Sequence, residues 1–96
     1  MPFVFQTPET LLRAIASKAK AQRLAAKLTR RTLALKSGVA EANIKRFETT
    51  GQISFHNLLK IAYTLDCMDD FEPLFNEKPP KRIADLQIKP RQRGSL

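Results

Sequence analysis

The stretch Leu28-Thr29-Arg30-Arg31-Thr32-Leu33-Ala34-Leu35-Lys36-Ser37-Gly38-Val39-Ala40-Glu41-Ala42-Asn43-Ile44-Lys45-Arg46-Phe47-Glu48-Thr49-Thr50-Gly51 decides the fold. Thr29 offers a hydroxyl that can accept from a helix's first amides, and a short helix follows from Arg30 to Ser37 with Leu33 and Ala34 pointing inward. Gly38 supplies the left-handed residue that stops it. Val39 then anchors a tight connection into a helix from Glu41 to Thr49, with Ile44 and Phe47 inward and Gly51 closing it. Two short helices meet around one glycine.

The flanks read as helices too. Thr7-Pro8-Glu9 is a helix start, with a capping hydroxyl, a proline where its missing N–H costs nothing, and an acid in the first turn. From there to about Lys27 no glycine or proline intervenes. The spacing turns Leu12, Ile15, Ala16, Ala19 and Leu24 inward and leaves Arg13, Lys18, Lys20, Arg23 and Lys27 around them as a positive surface. Ser54 caps a further helix to about Leu65, with Phe55, Leu58, Leu59, Ala62 and Leu65 on its inner face. Asp69 and Glu72 have the spacing of a capping box for a fifth helix carrying Phe71, Leu74 and Phe75, which Pro73 keeps short or irregular. The expected class is all-α. The expected organisation is an apolar segment over 1–6 containing Phe3, Val4 and Phe5, a helical domain over 7–78, and a mobile basic tail over 79–96. In that tail Ile83, Leu86 and Ile88 form a candidate docking segment for a partner.

Composition narrows the function. A chain of 96 residues buries only roughly 60% of the surface its unfolded state exposes, too little for a deep catalytic cleft between two lobes. One cysteine, Cys67, permits neither an internal disulfide nor a cysteine-rich zinc site. The sequence carries neither a signal-peptide pattern nor a long apolar run, so no membrane partner is expected and a cytoplasmic location is, associated with the nucleoid when on DNA. The net charge of +8 is unevenly placed: residues 1–47 hold 10 basic and 2 acidic side chains, residues 48–78 hold 2 and 6, and residues 79–96 hold 5 and 1. A contiguous basic half suits a polyphosphate partner, because displaced counterions favour association. A solubility surface, an anionic membrane or an acidic protein would use the same charge.

A helix, a glycine turn and a second helix locked beneath the first is the geometry that presents a recognition helix to the major groove. Residues 28–51 resemble the lambda-repressor-like helix-turn-helix of the Cro/C1, or XRE, family. Thr29, Leu33, Ala34, Ser37, Gly38, Val39, Ile44 and Glu48 match its usual pattern position by position, and Phe47 is a conservative replacement. Three places depart from it: Arg30 stands for a common glutamine and favours a phosphate contact, Ala40 replaces the usual Ser or Thr cap, and Thr49-Thr50-Gly51 carries an inserted turn residue. The wider layout looks like the HipB-like branch, through the Phe-rich start before Thr7-Pro8-Glu9, Asp69-Asp70-Phe71-Glu72-Pro73-Leu74-Phe75, Pro79-Pro80 and the basic tail. That resemblance implies a five-helix repressor that dimerises on an inverted repeat of double-stranded operator DNA and represses its own operon. It also implies an antitoxin or co-antitoxin that binds a HipA-like kinase toxin, sometimes with a third small protein. A stand-alone XRE-family regulator and a general nucleic-acid-binding scaffold are the alternatives.

Candidate DNA-contacting residues follow one by one. With Ile44 and Phe47 inward, Glu41, Ala42, Asn43, Lys45 and Arg46 include the outward positions of the second helix. Arg46 can fork onto a guanine, Asn43 can pair an adenine edge or grip a phosphate, Glu41 can accept from a cytosine amine, and Ala42 can touch a thymine methyl. Thr29, Arg30, Thr49, Thr50 and Gln52 flank this surface as backbone-positioning groups. No catalytic constellation, metal site or cofactor motif accompanies them. His56 falls on the polar side of its helix, Cys67 reads as a small buried hydrophobe, and the acids Asp66, Asp69, Asp70 and Glu72 read as helix-dipole partners or an acidic face.

Overall fold

A computed structural model describes residues 6–79. Within them the chain forms four α-helices, α1 (Pro8–Ala25), α2 (Arg30–Ser37), α3 (Glu41–Thr50) and α4 (Phe55–Thr64), and one 3-10 turn (Met68–Asp70), with no strand among the described residues. The all-helical expectation holds for these residues. The expectations for Phe3, Val4 and Phe5 and for the tail from Pro80 onward lie outside them.

Each helix start has a local cause. Thr7 Oγ1 accepts from the Thr10 N–H at 3.1 Å and Thr10 Oγ1 accepts from the Thr7 N–H at 3.0 Å, closing a capping box ahead of Pro8. Thr29 Oγ1 accepts from the Thr32 N–H at 3.0 Å, and Ser54 Oγ from the Asn57 N–H at 3.1 Å. Ala40 has no side chain to do this, so α3 begins without a side-chain cap. The ends differ. α2 and α3 stop at Gly38 (φ 80°) and Gly51 (φ 85°), as read from the sequence, with α3 one residue longer than expected. α1 stops at Ala25, short of the expected Lys27, because Leu28 N–H bonds the Arg23 carbonyl and Lys27 N–H that of Leu24, with Lys27 itself at φ 60°. No glycine marks that stop.

The two turn glycines serve different needs. A Cβ on Gly38 would meet nothing within 4 Å, so only its left-handed backbone requires glycine. A Cβ on Gly51 would lie 3.0 Å from Leu12 Cβ and 3.1 Å from the Leu12 carbonyl carbon and oxygen. Gly51 is where α1 and the end of α3 touch.

The core joins all four helices: Ala16 from α1, Leu33 from α2, Val39 from the turn, Ile44 and Phe47 from α3, and Ile61 from α4 are buried, with Ile15, Ala19, Leu28, Ala34, Ile53, Leu58 and Leu65 packed around them. α3 lies against both α1 and α2, and α4 packs on α2.

Four expectations are corrected. Leu24 is not inward but 55% exposed, and Arg23, placed on the positive surface, is buried. Neighbouring residues on a helix point about 100° apart, so once Arg23 turns inward Leu24 must turn out. Phe55 is not a core residue and is 56% exposed, while Ile61, not expected inward, is buried. The fifth helix is a 3-10 turn at Met68–Asp70 followed by irregular turns through Phe75, because Pro73 lacks the N–H a longer helix would need there.

Candidate nucleic-acid interface

α3 presents the surface. Ile44 and Phe47 anchor it in the core, and Glu41, Ala42, Asn43, Lys45 and Arg46 are all exposed. At about 100° per residue, Ala42, Arg46 and Thr49 run along the middle of the outer face, with Asn43 and Thr50 on one flank and Lys45 on the other. The sequence therefore identified the outward set of this helix correctly as a surface. Gln52 is also exposed.

What holds α3 at its angle is an ion-pair network absent from the sequence reading. The Glu48 side chain is 3% exposed, and the Arg23 Nε–H donates to its Oε2 at 2.7 Å. Arg23 Nη2 donates to Glu48 Oε1 at 3.1 Å, and Arg23 Nη1 donates to the Leu28 carbonyl at 2.7 Å. Arg30 Nε–H donates to Glu48 Oε1 at 2.8 Å. One carboxylate on α3 thus accepts from α1 and α2 together, with a bidentate fork from Arg23. Burial raises the Glu48 pKa, and the hydrogen bonds and charges of Arg23 and Arg30 outweigh it, leaving the carboxyl below its ordinary value. Glu48 was legible only as a pattern match, and Arg23, 25 positions away, only as a surface charge. No sequence signal connects the pair.

Several of the expected flanking groups have intramolecular partners. Arg30, with 30% of its side chain exposed, spends its Nε–H on Glu48, which leaves only its terminal nitrogens for any outside anion. The Thr29 oxygen caps α2, and its hydroxyl donates to Thr32 Oγ1 at 3.0 Å. Thr49 Oγ1 donates to the Lys45 carbonyl at 2.9 Å, while Thr50 Oγ1 donates to the Arg46 carbonyl at 2.7 Å and accepts from the Gln52 N–H at 3.0 Å. These hydroxyls shape the α3 terminus and its turn.

Beside α3 a groove of about 240 Å³ is lined by Asn43, Arg46, Gln52, Ile53, Ser54 and Asn57. It runs between α3 and the start of α4, bringing three of the expected contact residues together with Ser54 and Asn57, which were not expected there. Ser54 was legible as a cap, but a cap gives no hint of which helix it faces. Glu41, Ala42, Lys45 and Thr29 lie outside this groove.

The other chemistry-bearing side chains stand apart. His56 is exposed, and Cys67 is half-buried with its thiol pushed up by burial and by the charges of Asp70 and Asp66. No helix among the described residues is long and apolar enough to cross a membrane. No protein-family model matches the chain, and no curated protein matches it.

Proposed function

We propose that this chain is a sequence-specific DNA-binding repressor rather than an enzyme, with α3 as its recognition helix. The observation that carries the reading is the two-sidedness of α3: Ile44, Phe47 and Glu48 fix it to the other helices, and Glu41, Ala42, Asn43, Lys45 and Arg46 face outward on a helix narrow enough for a major groove about 12 Å wide. Lys45 and Arg46 supply phosphate or guanine contacts, and the polar groove of Asn43, Arg46, Gln52, Ser54 and Asn57 offers donors to the adjoining backbone. One short helix reads few base pairs, so a homodimer on an inverted repeat, with half-sites about one or two helical turns apart, completes the recognition.

The test is a fluorescence anisotropy titration of the chain against a duplex from its own promoter and a scrambled duplex, over a salt series. Preference for the promoter with steep weakening in salt is expected. Equal affinity for the two duplexes overturns sequence-specific repression and leaves a general nucleic-acid scaffold. Lys45→Glu with Arg46→Glu abolishes promoter binding while circular dichroism stays unchanged, since both residues are exposed.

The narrower role, a HipB-like antitoxin or co-antitoxin that autoregulates its operon and binds a HipA-like kinase, rests on the resemblance of the sequence layout alone. A neighbouring reading frame with kinase motifs whose product co-purifies with this chain supports it. A kinase that elutes alone at equal stoichiometry leaves a stand-alone regulator.

A further inference from the structure

Glu48 receives one more arginine than it needs. Arg23 alone engages both carboxylate oxygens, Nε–H on Oε2 at 2.7 Å and Nη2 on Oε1 at 3.1 Å, and Arg30 adds its Nε–H to Oε1 at 2.8 Å. Two guanidinium groups then share one carboxylate, which leaves one net positive charge in the cluster and sets the arginines against each other. Stability is a weak reason for the third bond, because a pair with one member 30% exposed contributes little.

The place of the bond in the fold supplies another reason. Arg30 is the first residue of α2 and Glu48 lies in the last turn of α3, while Gly38, Val39 and Ala40 join the other ends of the two helices. The bond therefore links the helix pair at the end remote from its turn. Among the described residues it is the only side-chain hydrogen bond or ion pair between α2 and α3. The core residues these helices share, Leu33, Ile44 and Phe47, are apolar. Apolar burial draws helices together without a preferred direction, whereas a hydrogen bond is directional. The turn at one end and the bond at the other set how far α2 and α3 open.

We propose that Arg30 is a positioning residue: its bond to Glu48 fixes the opening of α2 against α3, and through it the discrimination between DNA sequences. The inference rests on the repressor reading. In that reading α2 lies on the DNA backbone while α3 meets base edges, and both contacts form together at one opening of the pair. The role is separate from any phosphate that the free terminal nitrogens of Arg30 meet. A lysine cannot fill it, because its single ammonium lacks the fixed fork that serves Glu48 and an outside anion at once.

Arg31 is the control for charge. It is the next residue, exposed and without a side-chain hydrogen bond or ion pair among the described residues, so Arg31→Gln removes the same charge and leaves Glu48 untouched. The experiment measures affinities of the full-length native chain, Arg30→Gln, Arg30→Lys and Arg31→Gln for the promoter and scrambled duplexes, with urea unfolding to establish that each variant is folded. Arg31→Gln is expected to weaken both duplexes alike and keep their ratio. Arg30→Gln lowers the promoter-to-scrambled ratio by about fivefold or more, and Arg30→Lys does not restore it although the charge is kept. Lost stability alone reduces the folded fraction for both duplexes equally, so the ratio reports positioning. In the DNA-free proteins, amide signals along α3 shift in Arg30→Gln and stay in place in Arg31→Gln. A fallen ratio with unshifted α3 signals overturns the inference in favour of a direct base contact by Arg30. A native chain that prefers the promoter, with the same ratio in Arg30→Gln, overturns the inference and leaves the repressor reading standing. A native chain with no preference overturns both.

Discussion

Residues 28–51 and residues 55–75 are built from the same materials, short helices with apolar and charged side chains, and dispose of them in opposite ways. In the first, Leu33, Val39, Ile44 and Phe47 are buried, the acid Glu48 is enclosed by two arginines, and the side chains left outside are mostly polar. In the second, only Ile61 and Ala62 are fully buried, Tyr63 and Phe75 stand in solvent, and the four acids Asp66, Asp69, Asp70 and Glu72 have no cation within salt-bridge distance among the described residues. The first region buries its large apolar side chains within the described chain except Leu35, which is 78% exposed. The second leaves apolar surface in solvent, and the difference separates a helix locked in place on both sides from a face left open.

The comparison breaks most sharply at Glu48. Glu48→Ala leaves Arg23, 7% exposed, without its partner, and removing one member of a buried pair costs about 3–5 kcal/mol. Against a total of roughly 5–15 kcal/mol this lowers the thermal midpoint drastically or unfolds the chain at room temperature, as thermal circular dichroism would record. Arg30→Ala, at the half-buried partner, costs less, about 1 kcal/mol. Equal losses from Glu48→Ala and Arg30→Ala would mean that the α1 arm of the network is not what fixes α3.

Next in size is the glycine pair. Gly38→Ala meets only the left-handed backbone cost of roughly 1–2 kcal/mol, whereas Gly51→Ala adds a clash with Leu12 for a total of about 2–4 kcal/mol. Urea titration of both variants gives the ordering, and a Gly51→Ala protein no weaker than Gly38→Ala would refute the close approach of α1.

Acid tests the same network. The folded pKa of Glu48 lies below the unfolded one, so its stabilisation is complete above the ordinary carboxylate value of about 4.3 and drains away as pH falls from there through the lowered folded value. Across that window the melting temperature falls more steeply with acid in the native chain than in Glu48→Gln.

Smaller effects sharpen the contrast. Ala40→Ser gives the first turn of α3 the side-chain cap it lacks and raises stability by about 0.5–1 kcal/mol. Tyr63→Ser, on the exposed ridge of α4, changes stability by less than about 0.5 kcal/mol. A much larger loss there would show that the ring is already covered.

What the sequence determined by itself is local. Thr29 set where α2 begins, and Gly38 and Gly51 where α2 and α3 end, because caps and left-handed residues act through hydrogen bonds and torsions within a few positions. Thr7-Pro8 and Ser54 marked the starts of α1 and α4, and the spacing of Leu33, Ile44 and Phe47 marked the buried faces and with them the outer residues of α3. Tertiary structure decided the rest. A charged side chain at helical spacing is surface by default, and Arg23 became interior only because Glu48, 25 residues on, met it with a matching carboxylate. Phe55 had the hydrophobicity of a core residue and lost the place to Ile61, since a helix has only one face to bury and the position of α2 chose which. Ser54 and Asn57 joined Asn43 and Arg46 in one groove because the turn after Gly51 carries the start of α4 back alongside α3, a pairing that helical spacing within either element does not encode.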